Sequence, residues 1–319
     1  MSATRTVRIA TRSSALALWQ ARSVATALAG IGVATELLEV STQGDQDQRP
    51  LSQLPGSGFF TKAVQEAVLS GAADVAVHSY KDLPSVTPPA LTLACVPERA
   101  DARDVLLLRP ETRHDAGAEV LPLRQGALVG TSAARRREQL LARRPDLRIA
   151  ELRGNVPSRV GKLRDGNYDA IVVARAGLDR LALDLTGLEA VTLAPEVMQP
   201  APAQGALALE ARSSDTELLA SLALLDDPAV RRPVMAEREL MALFDAGCQL
   251  ALGAHATGGA TGSIELTAWY QGRLVRVRHD EPLRAAQLAY SALSAAGGGD
   301  ELSEAEPAVG RTAEVGGQP

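Results

Sequence analysis

The residues of this chain best suited to chemistry are one cysteine, one aspartate and several arginines. Cys248 stands in the segment FDAGCQLALG, where Ala246 and Gly247 precede it and no apolar alternation surrounds it. A thiol on a glycine-flanked loop is accessible, and four roles are open to it: packing, a disulfide, metal ligation or nucleophilic attack. The rest of the sequence has to decide among them.

The second cysteine, Cys95, lies in the short apolar run LTLACVP, which is typical of a buried strand. The N-terminal segment has no apolar run of signal-peptide length, and no later stretch approaches a membrane span. We therefore expect a cytoplasmic protein whose thiols stay reduced, without a disulfide between Cys95 and Cys248. The four histidines show no metal-ligand spacing with a cysteine, so no zinc site is expected.

Asp82 is the leading candidate for an acid or a charge-stabilising group. In AVHSYKDLP it follows an apolar run, so Ser79, Lys81 and Asp82 are predicted just past the end of a buried strand. Asp82 beside Lys81 could equally be a surface ion pair. At a strand end, however, the carboxylate would supply one negative charge where an ammonium-bearing substrate needs it.

Three strand-to-helix junctions carry side chains that suit anions. In open α/β sheets, ligands bind at the carboxyl ends of strands, where helix N-termini offer free N–H groups and arginine recognises carboxylate or phosphate. The junctions are RIATRSS with Arg12, Ser13 and Ser14, GTSAARRR with Thr131, Ser132, Arg135 and Arg136, and ELRGNVPSR with Arg153 and Arg159. Further along the helix that follows GTSAARRR, the pattern indicates a solvated face for Arg137, Arg143 and Arg144. Several such sites facing one cleft would suit a ligand with many carboxylates.

Length and composition favour two or three domains and argue against a nucleic-acid binder. The chain has 319 residues, is 46% hydrophobic and has a net charge of -5. Strand and helix signals alternate over the first two hundred residues, which predicts an α/β fold with mostly parallel sheets. After a Pro- and Ala-rich crossing at 200–205, the pattern predicts a small α+β unit with a hairpin turn at Gln271-Gly272. From Gly297 onward no periodicity remains, which predicts a disordered tail.

Seven stretches, in order, resemble the porphobilinogen deaminase family, also called hydroxymethylbilane synthases. They run from about Val7 to His255: RIATRSSALALWQA, AVHSYKDLP, GTSAARRR, LRGNVPSR, YDAIVVARAGLDRL, PAQGAL and AGCQLALG. The resemblance implies two α/β lobes like those of periplasmic binding proteins, with mainly parallel sheets, plus a small α+β C-terminal domain. Domain 1 would comprise residues 1–102 and 203–224, domain 2 residues 103–202, and domain 3 residues 225–296, with 297–319 as the tail.

The same resemblance implies a transferase of porphyrin and heme biosynthesis. Such an enzyme deaminates four porphobilinogen molecules and condenses them into the linear tetrapyrrole hydroxymethylbilane. It does so on a dipyrromethane cofactor, here expected as a thioether on Cys248. The implied protein is a monomer with porphobilinogen as its substrate and with no nucleic-acid or membrane partner.

Individual residues take roles by the same resemblance. Asp82 matches the catalytic aspartate, which assists ammonia loss and stabilises positive charge on the pyrrole nitrogen. Further positions are expected to hold acetate and propionate groups. For the cofactor these are Ser79, Lys81, Thr131, Arg135, Arg136, Arg153 and Arg159. For the substrate they are Arg12, Ser14, Arg180 and Gln204.

Several residues depart from the family pattern. Three stand where cations are usual, and Ala133 replaces a serine that helps to bind the cofactor. The three are Gln43, Gln53 and Ser57, and the cysteine loop also differs at Ala246, Ala251 and Leu252. Two alternatives therefore stay open: a weakened or specialised paralogue, and a non-catalytic anion-binding protein of the same two-lobed architecture. Cys248 and Asp82 in matching loops count against the second.

Overall fold

The computed structural model describes residues 5–42, 58–114, 121–244 and 250–295. Within these ranges, none of the helices combines the length and the apolar character that a membrane crossing requires. The strands are β1 (Val7–Arg12), β2 (Thr35–Val40), β3 (Val75–Ser79), β4 (Leu91–Cys95), β5 (Asp104–Leu108), β6 (Leu128–Gly130), β7 (Arg148–Ala150), β8 (Ala170–Ala174), β9 (Glu189–Leu193), β10 (Leu207–Arg212), β11 (Gly253–Thr257), β12 (Ile264–Tyr270) and β13 (Arg273–His279). The helices are α1 (Ala15–Gly30), α2 (Lys62–Leu69), α3 (Ala134–Arg143), α4 (Val156–Arg164), α5 (Arg175–Leu181), α6 (Thr216–Ala223), α7 (Pro228–Leu243) and α8 (Pro282–Ser294).

Two five-stranded sheets share one topology. The first has the order β2-β1-β3-β10-β4 and the second the order β7-β6-β8-β5-β9. In each sheet four strands run in one direction, and the fourth strand in the order, β10 or β5, is antiparallel to both of its neighbours. The sheets are thus mainly parallel, as the strand–helix alternation predicts, and the two lobes repeat one architecture.

The central strands are buried on both faces because helices and loops cover both sides of each sheet. All five residues of β5 are buried, as are the first four of β3. In sequence, such strands are continuous apolar runs rather than alternating ones.

The N-cap of α1 is formed by Ser14. Its hydroxyl accepts a hydrogen bond from the Ala17 N–H (3.4 Å).

The C-terminal unit is a three-stranded antiparallel sheet, β11-β12-β13, covered by α7 and α8. Gln271 and Gly272 have φ values of 49° and 82° and form the tight turn between β12 and β13. The predicted hairpin and closing helix are confirmed here. The expected tail at 297–319 lies outside the described residues.

The chain crosses between the lobes twice, and the two crossings are bonded to each other. The Ala100 N–H donates to the Gly205 carbonyl (3.1 Å), and Arg99 Nε donates to the Gln204 carbonyl (2.9 Å). Glu237 of α7 is fully buried and accepts from the two terminal guanidinium nitrogens of Arg99 (2.8 and 3.0 Å). It also accepts from the N–H groups of Ala203 and Ala256 (2.6 and 2.7 Å). One carboxylate therefore ties both crossings to the C-terminal sheet.

Gly205 is the position in these crossings where a side chain is excluded. Its φ is +87°, and an added Cβ would lie 2.3 Å from the Ala100 carbonyl oxygen. Gly71 has a similar φ of +77° but open space around the Cβ position. Alanine substitutions at the two glycines can therefore be compared: both would suffer the cost of the left-handed backbone, but only the one at Gly205 would also suffer the clash.

Gly71→Ala should lower the free energy of unfolding by about 1 kcal/mol, the typical cost of a left-handed alanine. Gly205→Ala should cost a further 1–3 kcal/mol or so, because the crossing backbone must move to admit the methyl group. Urea unfolding of the two variants beside the parent protein measures both effects. Equal losses in the two variants would contradict the close packing of the crossings.

Candidate active site

A cleft of about 830 Å³ lies between the two lobes, a size in the usual range for small-molecule sites. The first lobe lines it with the β1–α1 junction and the end of β3. The second lobe contributes the start of α4 and part of α5, and the crossing adds 204–206. The predicted strand-end junctions therefore do meet at one place.

The lining of the cleft is strongly cationic. Among the described residues that line it, seven are basic and Asp82 is the acid. The basic residues are Arg12, Lys81, Arg136, Arg153, Arg159, Lys162 and Arg180. This charge contrasts with the net charge of -5 of the whole chain. The cleft is thus suited to a ligand with several negative groups.

Asp82 lies on a short 3₁₀ turn, Tyr80–Asp82, that follows β3 directly. The Tyr80 N–H donates to the Ala206 carbonyl (3.0 Å), which fixes the start of the turn against the crossing. Asp82 is half-buried and makes no hydrogen bond or ion pair with any described residue. It is therefore not the surface ion pair considered from the sequence, and its carboxylate is available to a ligand. Ser79, the last residue of β3, pairs through its hydroxyl with the Gln20 side chain (2.8 Å).

Lys81 lines the cleft next to Asp82 and is held by Gln204. Its Nζ donates to Gln204 Oε1 (3.3 Å). Burial lowers the pKa of Lys81 to about 8, against the opposing effect of Asp82. Removal from water disfavours a charged ammonium, so an incoming carboxylate would stabilise it.

The neighbouring arginines of GTSAARRR have different positions. Arg136 lines the cleft, while Arg135 is buried outside it and donates to Asp104 Oδ2 (2.8 Å) and to the Gln199 carbonyl. Arg136 donates to Asp104 Oδ1 (2.8 Å) and to the Val172 carbonyl (2.9 Å). Burial alone would raise the pKa of the Asp104 carboxyl, but the two arginines outweigh it and hold that pKa well below its usual range.

Gln204 and Thr131, both expected to contact ligands, use their polar groups within the protein. Gln204 is 1% exposed, and its amide donates to Asp104 Oδ1 (2.8 Å) and to the Ala102 carbonyl (2.7 Å). Thr131 is buried outside the lining, and its hydroxyl accepts from the Ala133 N–H (3.3 Å). Ala133 itself provides no side-chain cap for α3. Arg135 and Thr131 thus stabilise the site from behind, and Gln204 lies in the lining with its amide bonded within the protein.

The α4 junction presents two arginines. Asn155 caps the helix by accepting from the Ser158 N–H (2.9 Å), and Gly154 precedes it with a φ of +111°. Arg159 Nε donates to the Gly154 carbonyl (2.7 Å). Burial lowers the pKa of Arg159 to about 10, and the nearby Arg136 and Arg153 act in the same direction. The cations at this junction repel one another, and an anion would relieve the repulsion.

The remaining predicted ligand contacts also lie at the cleft. The Arg12 guanidinium stacks over the Phe60 ring at 4.3 Å, and Ser14 lies beside it at the start of α1. Arg180 donates to the Gly205 carbonyl (2.7 Å), and its guanidinium lies 5.6 Å from the Trp19 ring centroid. Burial lowers the pKa of Arg180.

Sequence reasoning missed Lys162 and Phe60. Lys162 lines the cleft and donates from Nζ to the Arg153 carbonyl (3.0 Å). The sequence could have indicated Lys162, because it follows Arg159 by three residues and therefore lies on the same face of the helix. Arg137 and Arg143 are exposed, as a solvated helix face predicts, whereas Arg144 is partly buried and donates to backbone carbonyls, among them that of Leu123.

Cys248 lies outside the described residues, as do Gln43, Gln53, Ser57 and Ala246. In sequence, Cys248 stands between the end of α7 and the start of β11. Ala251 and Leu252 of the same segment are buried, with 7% and 2% exposure. In the described ranges no group of three or more histidine, cysteine or acidic side chains could hold a metal ion.

The described residues fit a ligand that carries several carboxylates, which is the chemistry of a dipyrromethane. Seven basic side chains line the cleft, and burial lowers the pKa of three of them, Lys81, Arg159 and Arg180. A ligand with several carboxylates would offset that cost. The fold and the lining thus define a two-lobed α/β protein with a cleft suited to a polyanionic ligand.

The chain belongs to the porphobilinogen deaminase family. Residues 7–220 match the family model described as "Porphobilinogen deaminase, dipyromethane cofactor binding domain". A porphobilinogen deaminase of Roseiflexus sp. (strain RS-1) is 45% identical over 279 residues, which cover 85% of this chain and 89% of that protein. One from Mycobacterium tuberculosis (strain ATCC 25618 / H37Rv) is 48% identical over 250 residues, 78% of this chain and 77% of the relative.

This membership confirms the predicted transferase of porphyrin biosynthesis and its dipyrromethane cofactor. Solved structures similar to the chain include an ancestral cationic amino acid solute-binding protein. It has 14% identity and a TM-score of 0.41, and the match covers 69% of this chain and 87% of that protein. An ancestral arginine-binding protein bound to arginine has 15% identity and a TM-score of 0.38, covering 70% and 92%.

The pKa of Lys81 predicts a pH dependence. Lys81 is charged below about pH 8 and loses its proton above it. If the ammonium contacts substrate carboxylates, kcat/KM for porphobilinogen should fall as the pH rises through about 8. Lys81→Arg keeps the charge and should move this alkaline limb to higher pH. Lys62→Arg, on the exposed face of α2, makes the same change away from the cleft and should leave the limb in place. An unmoved limb in Lys81→Arg would exclude Lys81 as its source.

Proposed function

We propose that this chain deaminates four porphobilinogen molecules and condenses them into hydroxymethylbilane, on a dipyrromethane bound covalently to Cys248. The observation that carries the proposal is a cleft lined by seven basic residues and by Asp82, whose carboxylate makes no hydrogen bond or ion pair with any described residue. Each pyrrole unit carries an acetate and a propionate, so a growing chain accumulates negative charge. A cationic cleft with one available carboxylate matches that substrate and the ammonium group of porphobilinogen.

The proposed roles divide the cleft by charge. Lys81, Arg136, Arg153 and Arg159 would hold carboxylates of the dipyrromethane, and Ser79 would support them from the end of β3. Arg12, Ser14 and Arg180 would hold the incoming porphobilinogen. Arg135 and Thr131, first expected at the ligands, would act through the residues that they stabilise. Gln204 lines the cleft and would act there by holding Lys81. Lys162 and Phe60 join the set because both line the cleft.

Asp82 would act on the charge that develops as porphobilinogen loses ammonia. The electrons of the pyrrole nitrogen expel the protonated amine, and the nitrogen becomes positive. A carboxylate held at that nitrogen stabilises this charge, which is electrostatic stabilisation of a transition state. Because no described residue bonds to it, Asp82 needs to give up no partner when substrate arrives.

The dipyrromethane supplies a covalent primer with a nucleophilic pyrrole carbon. The protein's own part is to hold the carboxylates, orient the two reacting carbons and keep the charge of Asp82 in place. A cysteine thiolate is a soft nucleophile that suits the attachment, and Cys248 stands in the matching loop.

The domain boundaries and the cellular setting are part of the same proposal. Domain 1 would comprise residues 1–102 and 203–224, domain 2 residues 103–202, and domain 3 residues 225–296. This division agrees with β10 lying in the first sheet and β5 in the second. The protein would be a cytoplasmic monomer without a nucleic-acid partner, in keeping with its net charge of -5.

Turnover distinguishes this proposal from its two alternatives. Purified protein given porphobilinogen should release four ammonia molecules for each hydroxymethylbilane. A non-catalytic anion-binding protein would bind porphobilinogen without releasing ammonia. A weakened paralogue would give the same ratio at a lower rate, and Ala133, which leaves α3 without a side-chain cap, is the described departure that favours it.

The same assay tests the polycarboxylate site through two arginines of α4. Arg159→Leu should lower the turnover rate on the order of 10-fold or more, because it leaves a ligand carboxylate unpaired in a buried setting. Arg164→Leu is the matched control: Arg164 is at the end of the same helix and donates to the Asp184 carbonyl (2.7 Å) outside the cleft. Normal turnover in Arg159→Leu, or equal losses in both variants, would contradict the proposed role of this junction.

A further inference from the structure

The turn that carries Asp82 is fixed at both ends, and the second anchor comes from the C-terminal unit. At its start the Tyr80 N–H is bonded to the Ala206 carbonyl. At its end the guanidinium of Arg238, on α7, donates to the carbonyls of Leu83 (2.9 Å) and Pro84 (2.7 Å). Arg238 also contacts the Tyr80 carbonyl at 3.5 Å. Asp82 lies between the two anchors.

The chemistry of this contact suits the holding of a turn. Arg238 is 8% exposed, and its guanidinium lies 4.9 Å from the Tyr80 ring centroid. Pro84 has no N–H, so this end of the turn is tied down through its carbonyl oxygens. The planar guanidinium of arginine has five N–H donors and can bind several carbonyl oxygens at once. The ammonium of lysine lacks this planar arrangement of donors.

Packing reinforces the anchor. Tyr80 and Leu83 are buried in one apolar cluster with Val234, which lies one helical turn before Arg238 on α7. The same helix ends at Leu243, five residues before Cys248. One rigid element therefore leads from the Asp82 turn to the segment that carries the cysteine.

We propose that Arg238 is a positioning residue for Asp82, holding its carboxylate at the place where the substrate's positive charge develops. This inference rests on the proposed function and deepens it. Without the guanidinium, the carbonyls of Leu83 and Pro84 lose their donor and the end of the turn can shift. A misplacement of about 1 Å at a reacting centre can cost on the order of 100-fold in rate.

A general structural role would also destabilise the protein, so the test needs a matched control. Arg231 is on the same helix and donates to the Leu93 carbonyl (3.1 Å) while pairing with Asp226 (2.8 Å). It fixes α7 to β4 rather than to the turn. Arg231→Met should lower the thermal midpoint of unfolding with little change in kcat. Arg238→Met should lower kcat about 10-fold or more.

A double-mutant cycle gives the decisive readout. Asp82→Asn, Arg238→Met and the double variant are compared for kcat and for covalent cofactor by intact mass. If Arg238 acts through Asp82, all three variants should carry the cofactor. Arg238→Met should then lower kcat in the parent protein, but it should change kcat less than about 2-fold in the Asp82→Asn background. Arg238→Lys, which keeps the charge and can reach one carbonyl, should recover part of the lost rate.

Each other outcome has a definite meaning. Equal losses from Arg238→Met with and without Asp82 would overturn the inference, as would a normal kcat for Arg238→Met. A normal kcat for Asp82→Asn itself would instead overturn the proposed role of Asp82. If Arg238→Met fails to fold, the cycle is run with Arg238→Lys, for which the same dependence on Asp82 is expected.

Discussion

The buried carboxylate of Asp104 is the interaction on which the rest of the site depends. It is fully buried at the first residue of β5, where the chain enters the second lobe, and it binds Arg135, Arg136 and Gln204 at 2.8 Å each. Gln204 in turn accepts from Lys81 of the first lobe. Asp104 therefore positions two cations of the cleft, Arg136 directly and Lys81 through Gln204, and so connects the two lobes. Removing one partner from such a buried set strongly destabilises a protein, because it leaves the other charges uncompensated.

This arrangement explains how a protein of net negative charge maintains a cationic cleft. One carboxylate, Asp104, pairs with both Arg135 and Arg136, so it offsets only part of their positive charge, and Arg136 brings the remainder to the cleft lining. In the same lobe, the burial of Arg159 and its repulsion by Arg136 and Arg153 lower the pKa of Arg159. The cations of the cleft thus repel one another, and the carboxylates of a polycarboxylate ligand offset that cost. Because the dipoles and charges are already in place, little reorganisation is needed when the ligand binds.

The sequence predicted where the chemistry gathers but not how neighbouring residues divide the work. The ends of β1 and β3, the Ser14 cap and the arginines of α4 follow from local patterns, and each lies where those patterns predict. Arg135 and Arg136 are adjacent letters, yet a helix turns them about 100° apart, and only one faces the cleft. Their partner Asp104 is some thirty residues away in the chain, in a run that indicates only a buried strand. Long-range pairs such as Asp104 with Gln204, or Arg238 with Leu83, leave no periodic signal in the sequence.

The central claim, a cationic cleft that holds a primer tethered to Cys248, is tested most directly by intact mass with peptide mapping. Protein made in a tetrapyrrole-synthesising host should carry an adduct equal to two linked pyrrole units on the peptide that contains Cys248. Cys95 should be unmodified, since it is fully buried and burial raises the pKa of its thiol to about 12. Porphobilinogen should then add mass in steps of one pyrrole. A bare mass that stays bare after incubation with porphobilinogen would contradict the account.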